Sequence, residues 1–232
     1  MIEATVLYSK SAIGTQILLT NKSNSSLLVD VGDGTLRDLA ERNFDFAALK
    51  GILITHEHAD HTGGLFSLIH FLKHVPHLDP LYIVSPKPIT YLEKFFQKPL
   101  MYGKISFKVI FKEANEGSKI QIGQFGISPF RAIHVDFDSI GYSIQDLKDK
   151  TRVVVSGDTI ASAKLRNKVR GADLAILEST FEDGQEKYAK AFGHMTISQA
   201  REVGRLAKKT ILVHEMPQHY FKIMTCAVIP SE

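Results

Sequence analysis

Residues 54–64 read ITHEHADHTGG, and four of them, His56, His58, Asp60 and His61, carry side chains able to bind a metal ion. An apolar, strand-like run ends at Thr55, so the cluster lies where a strand opens into a loop. In extended backbone, residues two apart point the same way, so His56 and His58 converge on one point. Asp60 and His61 turn into a second direction as a helix begins after Gly63–Gly64. Imidazole nitrogens and carboxylate oxygens at this spacing suit zinc, which takes nitrogen and oxygen ligands at low coordination number. The alternative is a polar loop of solvated histidines. Four metal-capable side chains within six positions at a strand end weigh against it. His134 and His214 also close strand-like runs. His70, His74, His77 and His219 have no such placement, and His70 and His74, on the helix after the motif, read as surface or packing residues.

Elements able to hold these residues are legible along the chain. Short β-branched runs bounded by turn residues predict strands at 4–8, 15–20, 26–31, 51–56, 81–85, 105–111, 125–134, 139–144, 151–158, 173–179 and 210–214. Helical periodicity puts Leu65, Leu68, Ile69 and Leu72 on one stripe of 63–74. It puts Ile197, Ala200, Val203 and Leu206 on one stripe of 196–209, with Thr196 as N-cap. Further helices are expected at 35–42 and 88–97, and a surface helix at KLRN, 164–167. No repeat or linker divides residues 1–232, so one layered α/β domain is expected.

ITHEHADH matches the H-x-H-x-D-H motif of the metallo-β-lactamase superfamily, and the resemblance extends over nearly the whole chain. Asp30 in LLVDVGDGT, His134 in RAIHVDF, Asp158 in VVVSGDT and His214 in ILVHEM match the other motifs in order. The resemblance implies a four-layer αβ/βα sandwich of two mixed β-sheets flanked by helices, with two divalent ions at one edge. His56, His58 and His134 would hold one ion; Asp60, His61 and His214 would hold the other, with Asp158 bridging. A two-metal site needs a shared anionic bridge, and Asp158 is the only acid ending the VVVSGD run. Flavodiiron relatives carry Glu where His58 stands. The β-CASP nucleases insert a large domain where this chain has only 55 residues between Asp158 and His214.

Three local matches resemble the ribonuclease Z branch: DVGDGT (30–35), DSIGYSI (138–144), and LEST (177–180) with GHMT (193–196). They imply catalytic roles for Glu178 and His194 beside Asp60. A hydroxide held between the two ions would attack phosphorus. His194 would protonate the leaving alkoxide, with Glu178 orienting it. The chain departs from that branch in lacking the arm that grips tRNA. Only 23 residues lie between His134 and Asp158, and the family's F-L-G-T-G and P-x-K-x-R-N stretches are absent. The expected substrate is therefore a small phosphodiester, such as a cyclic nucleotide, or a short nucleic acid. The alternatives are tRNA 3′ processing, hydrolysis of a carboxyl ester, lactone or thioester, and metal binding without catalysis.

Composition narrows the field. The chain has 232 residues, 44% hydrophobic and 23% charged, with a formal net charge of +3, too small to argue for nucleic acid or against it. The single cysteine, Cys226, excludes an internal disulfide and fits a reducing, cytoplasmic compartment. No apolar run is long enough to span a membrane, and MIEATVLYSK does not read as a secretory signal. KPITYLEKFFQKPLMYGKISFKVIFK (87–112) interleaves Lys94, Lys98, Lys104 and Lys108 with Phe95, Phe96, Tyr102 and Phe107. That pattern could stack bases, but a helix packing its Phe face on the core explains it better. Zn2+ is the expected ion, with Mn2+ or Fe also compatible with such ligands. A homodimer stays open.

Overall fold

The computed structural model describes residues 1–76, 80–86, 107–135, 138–217 and 219–220. β1 (Glu3–Lys10), β2 (Gly14–Thr20), β3 (Ser26–Val29), β4 (Leu49–Leu53), β5 (Leu81–Ser85) and β6 (Val109–Glu113) form one sheet in that order. β7 (Ile120–Ile122), β8 (Phe125–Arg131), β9 (Ile140–Asp146), β10 (Arg152–Val155), β11 (Leu174–Glu178) and β12 (Thr210–Val213) form the second, again in chain order. The described helices are α1 (Thr35–Glu41), α2 (Ala59–Thr62), α3 (Leu65–Leu72), α4 (Ala163–Val169), α5 (Glu186–Phe192) and α6 (Ile197–Gly204).

Side-chain alternation along the strands dictates the layering. Leu27 and Val29 of β3 face the core between the sheets, while Leu28 joins the cluster that contains Leu65, Leu68, Ile69 and Leu72 of α3. On β10, Val153 and Val155 face the other sheet, and Val154 packs with Leu165 and Val169 of α4 and Ala200 and Val203 of α6. Strands buried on both faces must be apolar nearly throughout, which is why they read as continuous runs. The result is two mixed sheets face to face with helices outside, as expected. Each of the four α3 side chains is at most 1% exposed. Burial of each contributes roughly 1.5–3 kcal/mol.

Strand direction places the site. β3, β4, β5 and β6 run parallel to one another, as do β10, β11 and β12. β8 is antiparallel to β9, which is antiparallel to β10, so β8 runs with β10. The C-terminal ends of β3, β4, β8, β10, β11 and β12 therefore lead into Asp30, His56, His134, Asp158, Glu178 and His214 at one edge of the sandwich. Tyr142 of β9, wholly buried, ties the two sheets just beneath. Its hydroxyl donates to Ile54 O at 2.6 Å and lies 3.3 Å from Val84 O. Burial first, and then the charge of Asp30, push its phenol well above the ordinary range, so it stays a donor.

Several boundaries differ from expectation. The run 125–134 leaves the ladder after Arg131, the partner of Ile140: Ala132 N still donates to Ser139 O at 3.0 Å, but Ile133 N turns away to Thr159 Oγ1 at 2.9 Å. The strand expected at 105–111 runs from Val109 to Glu113. The helix expected at 196–209 ends at Gly204; Thr196 is its N-cap, as read from the sequence, and forms a capping box with Gln199. The KLRN stretch is helical, within α4. His77, Cys226, the helix expected at 88–97 and most of the lysine–aromatic segment lie outside the described residues; Phe107 of that segment is buried.

Candidate metal centre and acid–base pair

The loop after β4 is short, and the one-turn helix α2 carries Asp60 and His61 back over the strand ends. It fits against the loop after β3 only because Gly32 has no side chain. A Cβ there would lie 2.5 Å from both Asp60 O and Thr15 N. Two groups of candidate ligands result. His56, His58, His134 and Asp158 bring one ligand atom each within 4.8 Å of one another, and so do Asp60, His61 and His214. Asp158 faces both, its Oδ2 lying 3.7 Å from His56 Nε2 and 3.4 Å from the Nε2 atoms of His61 and His214. All seven sequence-expected ligand residues thus meet at one place.

The donor set fits divalent cations. His56 Nε2 and His58 Nδ1 are 2.8 Å apart, and His61 Nε2 and His214 Nε2 are 3.3 Å apart. Ring nitrogens facing one another in a buried cluster need a shared proton or a cation to offset their lone pairs. The opposite ring nitrogens are engaged. His61 Nδ1 meets Asp30 Oδ2 at 2.8 Å, His134 Nδ1 meets Gly193 O at 3.2 Å, and His214 Nδ1 meets Thr180 Oγ1 at 2.9 Å. Such partners set the tautomer and ring orientation of a metal-binding histidine. Asp30 is held in turn by Thr55, whose N–H and hydroxyl each donate to it at 2.8 Å.

The charges are mutually tuned. Burial and the neighbouring His61 push His56 well below the ordinary histidine range. Burial opposes charge on His61 as well, but the carboxylates of Asp158 and Asp30 outweigh it and raise that ring. Burial would raise Asp158, yet His214 and His61 hold it well below the usual carboxylate range. Asp30 and His214 both adopt left-handed backbone, with φ of 60° and 61°. Non-glycine residues pay about 1–3 kcal/mol for sparsely populated backbone. His214 is kept there by its N–H, which donates to Ser9 Oγ at 2.9 Å.

Glu178 and His194 stand beside this cluster. Glu178 is the last residue of β11 and only 1% exposed. Its Oε1 accepts from His194 Nδ1 at 3.0 Å, Thr159 N at 3.0 Å and Met195 N at 3.1 Å; its Oε2 accepts from the N–H and hydroxyl of Thr180. Burial opposes charge on His194, but Glu178 outweighs it and raises the pKa. His194 also forms a third group with Asp158 and His214, so donor chemistry alone would admit it as a ligand. Its bond to Glu178 favours a proton-handling role. Thr180, Gly193 and Thr159 lay inside or beside the motifs, but their parts depend on tertiary contacts that spacing does not reveal.

A groove of about 580 Å³ opens beside His134, with Arg131, Lys164, Glu113, Glu116, Asp138 and Ile133 among its lining residues. Among the described residues, no helix is long and apolar enough to cross a membrane.

These sheets and this histidine–aspartate centre define a metal-dependent hydrolase. The chain belongs to the beta-lactamase superfamily, whose domain matches residues 26–215. It is similar to ribonuclease Z of Metallosphaera sedula, 26% identical over 249 positions covering 87% of this chain and 82% of that protein. Those positions outnumber the chain's own 232 residues, so the relative holds residues with no counterpart here. In fold it resembles the short form of human tRNase Z, with a TM-score of 0.82, 22% identity and coverage of 95% of this chain and 94% of that one. It also resembles the metallo-beta-lactamase fold protein YhfI from Bacillus subtilis, with a TM-score of 0.76, 23% identity and coverage of 100% and 95%.

Proposed function

We propose that the chain hydrolyses a phosphodiester in a small molecule or short RNA, with His194 as proton donor to the leaving oxygen. The observation that carries this is His194 Nδ1 at 3.0 Å from Oε1 of the buried Glu178, immediately beside the metal-binding cluster. An alkoxide is a poor leaving group, and a phosphodiester that expels one needs a proton at that atom. Two divalent ions, zinc by our reading, held by His56, His58, His134 and Asp158 and by Asp60, His61 and His214, would supply a water of lowered pKa and positive charge against the phosphoryl oxygens. The chain's own part is proton handling and orientation. Glu178 takes Nδ1–H and leaves Nε2 of His194 to donate. The carboxylate of Glu178 raises the pKa of that ring, which favours the charged form that a donor needs. Asp60 accepts from Ala12 N at 2.9 Å, which ties the β1–β2 turn to the site.

The groove beside His134 supports a short substrate. Its cations, Arg131 and Lys164, share the lining with Glu113, Glu116 and Asp138, and Lys164 is paired with Glu116 at 2.8 Å. A track for a long polyanion would be basic throughout. A second reading, tRNA 3′-end cleavage, draws on relatives named ribonuclease Z. Against it stand the residues without a counterpart here and the His134–Asp158 interval, whose described part is filled by β9, a turn and β10.

Metal-replete protein should be assayed in parallel on a cyclic nucleotide, short single-stranded RNA, a tRNA precursor, and a chromogenic carboxyl ester. Turnover of the first two, with weak and salt-sensitive tRNA binding, is expected. Selective trailer cleavage would establish the second reading; ester turnover alone would overturn both.

A further inference from the structure

Thr180 is 3% exposed, and its hydroxyl stands between three groups of the site. It donates to Glu178 Oε2 at 2.9 Å. The same oxygen is 2.9 Å from His214 Nδ1 and 3.2 Å from His194 Nδ1. A hydroxyl carries one proton and two lone pairs. With the proton directed to Glu178, a lone pair accepts Nδ1–H of His214. That leaves Nε2 as the bare nitrogen of His214, 3.2 Å from Asp60 Oδ2 and 3.4 Å from Asp158 Oδ2. His194 sends its Nδ1–H to Glu178 Oε1 directly. One carboxylate therefore steers two imidazoles, the first by contact and the second through a hydroxyl.

The backbone makes this meeting obligatory. β11 and β12 are parallel neighbours, and Glu178 is in register with Val213, so Thr180 and His214 both lie just past the last paired residues. Ser179 N donates to Val213 O at 2.9 Å and Met216 N donates to Thr180 O at 3.0 Å. Thr180 N donates to Glu178 Oε2 at 3.0 Å. The segment is thus anchored without the hydroxyl, which is left to serve the two side chains.

We propose that Thr180 is a positioning residue that transmits the charge of Glu178 to His214 and so couples the proton-donating half of the site to the ion-holding half. This rests on the reading of His214 as a metal ligand. No proton is transferred along the path; Thr180 keeps its own and fixes the tautomer of His214.

The test compares Thr180→Val, which keeps the volume and deletes the hydroxyl, with Thr180→Ser, which keeps the hydroxyl. Zinc affinity is read by competition with a chromophoric chelator, and fold by circular dichroism. Thr180→Val should weaken one of the two ions by about 10–100-fold, and Thr180→Ser should restore it. At saturating zinc, the ratio of rates on alkyl and nitrophenyl phosphodiesters should stay that of the unaltered protein, since the His194–Glu178 bond persists. Wild-type affinity for both ions in Thr180→Val overturns the coupling. Should that variant not fold, Thr180→Ala and Thr180→Ser differ by the hydroxyl alone and decide the same question. His214→Ala separates the two layers. If it retains both ions, the ligand reading itself falls; if it loses one while Thr180→Val does not, only the coupling falls.

Discussion

Nδ1 of His134 lies 3.2 Å from the carbonyl oxygen of Gly193, the residue immediately before His194. A candidate ligand of the first ion is thereby fastened to the C-cap of α5 and to the start of the loop carrying the proton donor. Gly193 has φ of 73°, and a Cβ there would lie 2.8 Å from both His134 Cα and Val135 N. Position and conformation both demand glycine. Gly193→Ala should cost about 1–3 kcal/mol in denaturant unfolding. It should also lower zinc content toward one ion per chain, because His134 is displaced. Unchanged stability together with full zinc content would refute this account.

The second prediction concerns the carboxylate that faces both ligand groups. The unaltered protein should hold close to two ions, and Asp158→Ala should lose at least one of them. Elemental analysis of purified, dialysed protein gives the number directly, and full occupancy in the variant would sink the bridging assignment.

Proton donation by His194 makes a sharper demand. His194→Ala should keep the fold and both ions, yet lose roughly 10²–10⁴ in kcat on an unactivated phosphodiester. With a nitrophenyl leaving group the loss should shrink, because a phenolate hardly needs the proton. Glu178→Gln should follow the same pattern more weakly. An equal loss on both substrates would assign His194 to charge stabilisation, and loss of an ion would make it a ligand.

Stability of the metal-free chain should depend on a group that lies beneath the site. Tyr142→Phe removes a buried donor whose bonds to Ile54 O and Val84 O tie the sheets beneath the site. The expected cost is about 1–3 kcal/mol, a fall of several degrees in melting temperature, with rates at 25 °C little changed. An unaltered melting curve would show those carbonyls to be satisfied otherwise.

How much of this was legible depended on how local each signal is. His56, His58, Asp60 and His61 sit in one loop, so their spacing alone exposed them. His134, Asp158 and His214 follow strand ends, and their match in order to the superfamily's motifs is what assigned them. Thr180 and Gly193 act on residues 34 and 59 positions away, and no spacing rule reaches that far. α5 escaped because Ala189 is its only buried residue, so it has no apolar stripe to recognise. β7 is three residues long, too short for any alternation to register. The run 125–134 was overextended because Ala132 and Ile133 stay apolar where the backbone of Ile133 turns from the ladder to Thr159.

Because every strand that ends in a site residue points the same way, three of the described turns fall on the opposite rim of the sandwich. Asn21–Ser25, Gly123–Gln124 and Leu147–Thr151 turn there, and Ser23 Oγ meets Gln124 Oε1 across the gap between the sheets at 3.1 Å. That rim is spare capacity. Exposed turns far from the chemistry accept added length at little cost. A fused binding module, an affinity handle or a surface tether inserted at 148–150 would leave every group of the catalytic edge in place, so this scaffold can be given new addresses without being given a new reaction.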